Sequence, residues 1–309
     1  MADRFEVPVV IIFFNRPDLV ERQFRVMQQL KCANLFLIAD GPRNEADRVK
    51  LETCKSIWKR IDWECEVNEI YAEHNLGCDV RIKTGLDKVF QKAEEAIILE
   101  DDCIASMDFF PYCQYLLDKY RDTPEISFIS GSNQVKNYAM KYSYDYMAYA
   151  WTWGWATWRR AWTGQKDLFQ DINRTLKDLQ KTTQICKADR KNKKKLLKEY
   201  YDSGQILPWD YNFTLSMVLQ NKISIAPCVN LITNCGFTEA ATHTQTELEG
   251  YDGRTGRMEF PLTDPPEIKI NKTYQYRSFR FLCPGIITKI GDRKRWQRWM
   301  GRIIKRGKK

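Results

Sequence analysis

The sequence predicts an α/β fold built on a mixed, mostly parallel sheet flanked by helices, with an amphipathic helix at its C-terminal end. Three observations predict it. Short apolar runs recur through the first 130 residues, helical apolar stripes separate them, and each run stops at polar or turn-forming residues.

Val7 to Phe14 (VPVVIIFF) is almost continuously apolar, as expected of a strand covered on both faces. It stops at Asn15-Arg16-Pro17-Asp18. Pro17 suits a first helical turn, and Leu19, Val20, Phe24, Met27 and Leu30 make a helical stripe. Leu35 to Ala39 is a second strand, ending at the turn Asp40-Gly41-Pro42-Arg43, and a helix follows from about Glu45 to Lys59. Glu66 to Ala72 is a third strand, ending at Glu73-His74-Asn75-Leu76-Gly77, with a helix from about Asp79 to Glu95 behind it. The fourth strand opens at Ala96 and runs into three consecutive acids, Glu100-Asp101-Asp102. The chain then turns through Cys103-Ile104-Ala105 into a helix from Asp108 to Tyr120, and Ile126 to Ser130 is a fifth strand. This alternation favours a parallel sheet with right-handed crossovers.

The second half is less regular. Trp151, Trp153, Trp155, Trp158 and Trp162 fall within twelve residues, which reads either as a core cluster or as an aromatic platform for a sugar face. Lys187 to Lys198 is a basic run in helix, read as a solvated face. Pro208-Trp209-Asp210-Tyr211-Asn212 opens another helix, with Asp210 in the first turn, where a carboxylate serves as a cap or stands ready for chemistry. Lys222 to Ala226 and Val229 to Ile232 read as strands. From Ile286 onward, Trp296, Trp299, Met300, Ile303 and Ile304 recur on one helical face among Arg and Lys. That pattern suits a helix lying in a membrane surface, or a terminal helix packed on the body.

The formal net charge is +9, and residues 291–309 hold nine Lys/Arg against one Asp, so the body is close to neutral. No basic groove for nucleic acid is expected. Ten Cys without a C-x-x-C pair exclude a zinc framework and suit free thiols in a reducing cytoplasm. The N-terminus lacks the order of a signal peptide, and no apolar run is long enough for a membrane span, so a soluble or peripheral protein is expected.

No G-x-G-x-x-G and no G-x-x-x-x-G-K-[ST] follows the first strand, which removes the main support for a dinucleotide or Walker site. Polar residues instead mark successive strand ends: Asn15 and Arg16, Asp40, His74 and Asn75, then Glu100, Asp101 and Asp102. In a parallel sheet these ends share one edge, where ligands bind. An Arg for phosphate, an Asp for base or ribose and an acid for a cation suit a nucleotide diphosphate.

With these residues collected, the sequence resembles the GT-A-fold glycosyltransferases. Within them it resembles bacterial surface-polysaccharide and lipopolysaccharide enzymes related to the N-acetylglucosaminyltransferase I type. The resemblance rests on F-F-N-R-P-D (13–18), A-D-G-P-R (39–43), H-N-L-G-C (74–78), I-L-E-D-D-C (98–103), W-G-W-A-T-W-R-R-A-W (153–162), P-W-D (208–210) and N-C-G-F-T-E-A-A-T-H-T (234–244). It implies a transferase domain over 1–245, with a nucleotide-sugar half at 1–130 and an acceptor half at 131–245. Residues 246–309 would be an extension ending in the membrane-associating helix.

The resemblance also implies roles. Asp102 would hold Mn²⁺ or Mg²⁺, and Glu100 and Asp101 would meet the donor sugar or ribose. Asn15, Arg16, Asn75 and Trp155 would contact the donor, Asp40 its base and His243 its diphosphate, and Asp210 would be the catalytic base of an inverting reaction. The implied partners are a nucleotide-sugar donor (a UDP-sugar first), a glycan or lipid-linked acceptor and, through residues 286–309, the anionic cytoplasmic face of the inner membrane, with no nucleic acid. Two other functions stand beside this one: a sugar-nucleotide nucleotidyltransferase, and a non-catalytic glycan- or membrane-binding protein on a transferase fold.

Overall fold

A computed structural model describes residues 4–135, 138–237 and 254–282. The first half is a run of alternating units. β1 (Val9–Phe13), α1 (Pro17–Leu30), β2 (Asn34–Ala39), α2 (Glu45–Trp58), β3 (Glu66–Tyr71), α3 (Cys78–Lys92) and β4 (Glu95–Glu100) follow one another. β1 is buried throughout because helices cover both faces of the sheet. Pro17 opens α1 without losing a helical hydrogen bond, and the Asn44 side chain caps α2 by accepting from the Asp47 N–H. β3 is the edge strand, and its exposed Glu66 and Glu69 keep that edge charged.

The rest of the chain supplies β5 (Cys103–Ala105), α4 (Phe109–Lys119), β6 (Ile126–Ser130), β7 (Tyr144–Met147) and β8 (Trp155–Trp158). Four helices follow: α5 (Arg159–Thr163), α6 (Ile172–Lys181), α7 (Lys187–Ser203) and α8 (Trp209–Leu219). β9 (Ile223–Pro227), β10 (Ile232–Asn234), a 3₁₀ turn (Cys235–Phe237) and α9 (Lys272–Leu282) complete the described elements. One sheet takes the order β3-β2-β1-β4-β8-β6-β9-β7. β3, β2, β1 and β4 run parallel; β8 lies antiparallel between β4 and β6, and β7 is antiparallel to β9. The mixed, mostly parallel sheet flanked by helices is the expected fold class.

Two departures matter for the site. Cys103-Ile104-Ala105 is a strand rather than a simple turn, and pairs antiparallel with β10. The strands β7 and β8 were not legible, because their partners are distant in sequence.

The core has two layers. On one face Ile11, Leu37 and Leu99 pack with Phe24, Trp58 and Phe110. On the other, Ile12, Ile38 and Ile98 pack with Leu86, Phe90 and Phe213. Gly85 lets α3 lie close on the sheet, since a Cβ there would stand 2.7 Å from the Ile38 side chain. A third cluster holds α6, α7 and α9 around Tyr149, Leu197 and Tyr274. Residues 254–282 pack on this body: the Gln275 side chain accepts from the Ala148 N–H at 2.7 Å, and Tyr144 donates to Asp264 at 2.7 Å. Among the described residues no helix is long and apolar enough to cross a membrane.

Candidate functional site

From β1 the chain steps outward through β2 to β3, then crosses back to place β4 on the other side of β1. Strand order therefore reverses between β1 and β4, and it is at the carboxyl ends of such a switch point that open α/β sheets take ligands. The residues leaving β1 are Phe14, Asn15 and Arg16; those leaving β4 are Asp101 and Asp102.

One guanidinium spans this switch point. Arg16 donates to both oxygens of Asp101, with Nε to Oδ2 at 3.2 Å, and through Nη1 to Asp102 Oδ2 at 2.9 Å. Asp101 also accepts from the Phe14 N–H at 3.3 Å. Burial disfavours charge on Asp101 and raises its pKa, the Arg16 charge works against that, and Asp102 adds to it. Burial likewise opposes the charge on Arg16, but Asp101 and Asp102 outweigh it and hold the guanidinium firmly protonated. Glu100 is pushed upward by burial, then by Asp102 and Asp101, with Arg16 opposing and Asp210 adding.

The acid turn is braced from beneath. Gln23 of α1, fully buried, donates to the carbonyls of Glu100 and Cys103, each at 2.8 Å. The Cys235 N–H donates to the Asp102 carbonyl at 2.7 Å, and a Cβ on Gly236 would stand 2.8 Å from Asp102 Oδ2. The 3₁₀ turn thus sits directly against Asp102, which only a residue without a side chain allows. Asp102 Oδ1 faces the Cys103 thiol at 3.4 Å, a weak partner that leaves this oxygen available. Among the described residues no three His, Cys, Asp or Glu side chains form a cage for a metal ion.

Asp210 lies in the first turn of α8 and accepts from the Tyr211 N–H at 2.8 Å. The start of α8 meets the start of α3, because Asp79 accepts from the Trp209 N–H at 3.2 Å. Burial pushes the Asp210 carboxyl up to about 6; the Tyr211 N–H pulls it down, Asp79 adds to the rise and Lys193 of α7 opposes it.

Several of the expected site residues are held by protein partners. Asp101 is 2% exposed, and its oxygens accept from Arg16 and the Phe14 N–H. Asp40 accepts from the N–H groups of Gly41, Leu76 and Gly77 and from the Asn75 amide, at 2.9–3.0 Å. With four protein donors it has little capacity left for a base. Asn75 also donates to the Gly41 carbonyl. The A-D-G-P and H-N-L-G segments therefore bind each other, tying β2 to the start of α3. Asn15 is turned to Asp47, donating at 2.5 Å, and that acid is held also by Arg43 at 2.6 Å.

Trp155 faces inward. It is 1% exposed, stacked on Phe128 at 4.9 Å and on Trp209 at 5.4 Å, because β8 inserts between β4 and β6 and turns its side chain inward. Trp153, which precedes β8, is only half-buried. His243 and residues 286–309 lie outside the described residues. The sequence reading also missed Gln23, Asp47 and Asp79: each is a polar residue inside a helix, with no local pattern to mark it.

Two cavities of about 130 and 520 Å³ open elsewhere. The larger is lined by Asn34, Glu66 and Glu95, at the amino ends of β2, β3 and β4, opposite the carboxylates. The charged groups converge instead at the switch point.

No protein-family model and no curated protein sequence matches the chain. Similar solved structures are remote. A UDP-glucose pyrophosphorylase complexed with UDP-glucose has a TM-score of 0.35 and 10% identity, over 74% of this chain and 94% of that one. A 4-diphosphocytidyl-2C-methyl-D-erythritol synthase from Anaerococcus prevotii has a TM-score of 0.35 and 11% identity, over 64% and 83%. A glucose-1-phosphate thymidylyltransferase from Bacillus anthracis has a TM-score of 0.30 and 11% identity, over 70% and 94%.

Proposed function

We propose that the chain is a metal-dependent glycosyltransferase. It would move a sugar from a nucleotide-diphosphate sugar, a UDP-sugar first, to a glycan or lipid-linked acceptor of cell-surface polysaccharide. One observation carries this reading. At the switch point between β1 and β4, Arg16 bridges Asp101 and Asp102 beside Glu100, and a separate carboxylate, the half-buried Asp210, has its pKa raised by burial.

Arg16 offers the donor's diphosphate a cation already held in place by Asp101 and Asp102. Asp102, through its Oδ1, would hold the divalent ion, Mn²⁺ or Mg²⁺. When bound, that ion supplies charge compensation for the leaving nucleoside diphosphate. Glu100 and Trp153 remain for the sugar. Asp210 accepts the proton of the acceptor hydroxyl while that oxygen attacks the anomeric carbon from the face opposite the phosphate. The new C–O bond forms as the bond to phosphate breaks, and the configuration inverts. A base poised near pH 6 is ionised at neutral pH and close enough to accept a proton efficiently.

A nucleotidyltransferase fits less well. Only Phe14, Asn15 and Arg16 join β1 to α1, with no glycine-rich backbone to cradle a triphosphate. Residues 1–130 would carry the donor and 131–245 the acceptor, with residues 286–309 at the cytoplasmic membrane face. Calorimetry with a panel of sugar nucleotides, with and without Mn²⁺, tests the reading. Metal-dependent binding of one of them supports it; binding of nucleoside triphosphates alone counts against it.

A further inference from the structure

We propose that the exposed face of α7, with the loop that follows it, docks on an anionic membrane surface. The docking itself does not depend on the activity proposed above.

Residues 171–203 hold ten Lys/Arg against five Asp/Glu, in a body otherwise close to neutral. The charge is sorted by face. Asp189, Leu196, Leu197 and Tyr200 are buried, so the inward face of α7 packs on the body. Lys187, Lys191 and Lys198 are exposed at helical spacing on the opposite face, and the half-buried Lys194 lies at its margin, turned to α6. Lys198 pairs with Asp202, whereas Lys187, Lys191 and Lys194 form no ion pair with a carboxylate among the described residues. Lys194 reaches only the neutral Gln180 of α6 at 2.7 Å.

A solvated charge run would need nothing more. This one ends in apolar groups. Tyr201 continues the lysine stripe one turn beyond Lys198 and is 45% exposed, and Ile206, just past the helix, is 66% exposed. Lysines flanked by an exposed aromatic ring and an aliphatic side chain match a lipid interface, where charge meets headgroups and apolar groups enter the acyl boundary. Nucleic acid would use the charge but not the isoleucine.

The position also has a consequence. Ile206 precedes Asp210 by four residues, and the inward Lys193 and Tyr200 interact electrostatically with Asp210. If the reading of Asp210 as base holds, the docking face belongs to the same helix as two residues that interact with that carboxylate.

The test uses the full chain with phosphatidylglycerol–phosphatidylcholine vesicles, pure phosphatidylcholine vesicles and duplex DNA, read by hydrogen–deuterium exchange. We expect protection of 187–206 on the anionic vesicles alone. The combined change Lys187→Glu, Lys191→Glu and Lys194→Glu should weaken vesicle affinity by at least about tenfold with an unchanged melting temperature. Ile206→Ser, which leaves the charge intact, should weaken it less. Protection absent from 187–206, with affinity indifferent to the charge reversal, would overturn the proposal. So would protection by DNA and not by vesicles. Sugar-nucleotide binding, measured in parallel, reports on the catalytic reading separately.

Discussion

Replacing Asp210 by Asn should stabilise the protein while abolishing transfer. The carboxyl stands at about 6 in the folded chain against an ordinary 3.8, chiefly because burial disfavours its charge. A gap of that size corresponds to about 3 kcal/mol between the protonation states. Asp210 keeps partial exposure, so we expect about 1–2 kcal/mol of it to be recovered when the charge is removed. The sign follows from proton binding. Between pH 3.8 and 6 the folded state holds a proton that the unfolded state has lost, so stability falls as pH rises across that window. The wild type thus carries the full cost at about pH 8 and none near about pH 3.5. The amide oxygen introduced by Asp210→Asn would still accept from the Tyr211 N–H. Thermal melts at about pH 8 should place the Asp210→Asn variant roughly 2–6 °C above wild type. The two curves should converge as pH falls below about 4. A variant less stable than wild type at the higher pH, or a gain that is equal at both pH values, would refute the burial argument.

Transfer by the wild type should rise with pH through about 6, as Asp210 becomes ionised and able to accept a proton; a pH-rate profile checks this. Arg16→Met should leave Asp101 buried without its counter-charge and cost about 3–5 kcal/mol in urea titrations, with donor binding lost; Arg16→Lys should recover only part, since one ammonium cannot reproduce the fork to two carboxylates. Gly236→Ala should push the 3₁₀ turn off Asp102 and weaken Mn²⁺ binding in the presence of donor, read by electron paramagnetic resonance; unchanged affinity would argue against Asp102 as ligand. Asp40→Asn should lower stability by about 1–3 kcal/mol and leave nucleobase preference unaltered, because its oxygens hold Gly41, Leu76 and Gly77 in place.

The first half of the fold was legible because its strands are covered on both faces. Val9–Phe13 and Ile97–Leu99 could be read without knowing their neighbours, since every position is apolar. β8 could not. Its Trp155 and Trp158 look alike whether they line a site or a core, and only its insertion beside β4 decides for the core. The acids and Arg16 were legible as a group, since like charges at one strand end need a cation. Their division of labour was not. That Asp40 and Asn75 satisfy each other, and that Asp101 is covered by Arg16, are tertiary contacts between residues 35 and 85 positions apart. Asp79 stands beside Asp210 although the two are more than a hundred residues apart, which no local pattern reports.

The central claim is tested most directly by the identity of the released product. Purified protein, Mn²⁺, a panel of sugar nucleotides and a lipid-linked glycan fraction as acceptor should release nucleoside diphosphate as sugar is incorporated with inverted configuration. Asp102→Ala and Asp210→Asn should each abolish that release while remaining folded. Pyrophosphate released from a nucleoside triphosphate and a sugar phosphate, or full transfer by the folded Asp210→Asn protein, would contradict the account.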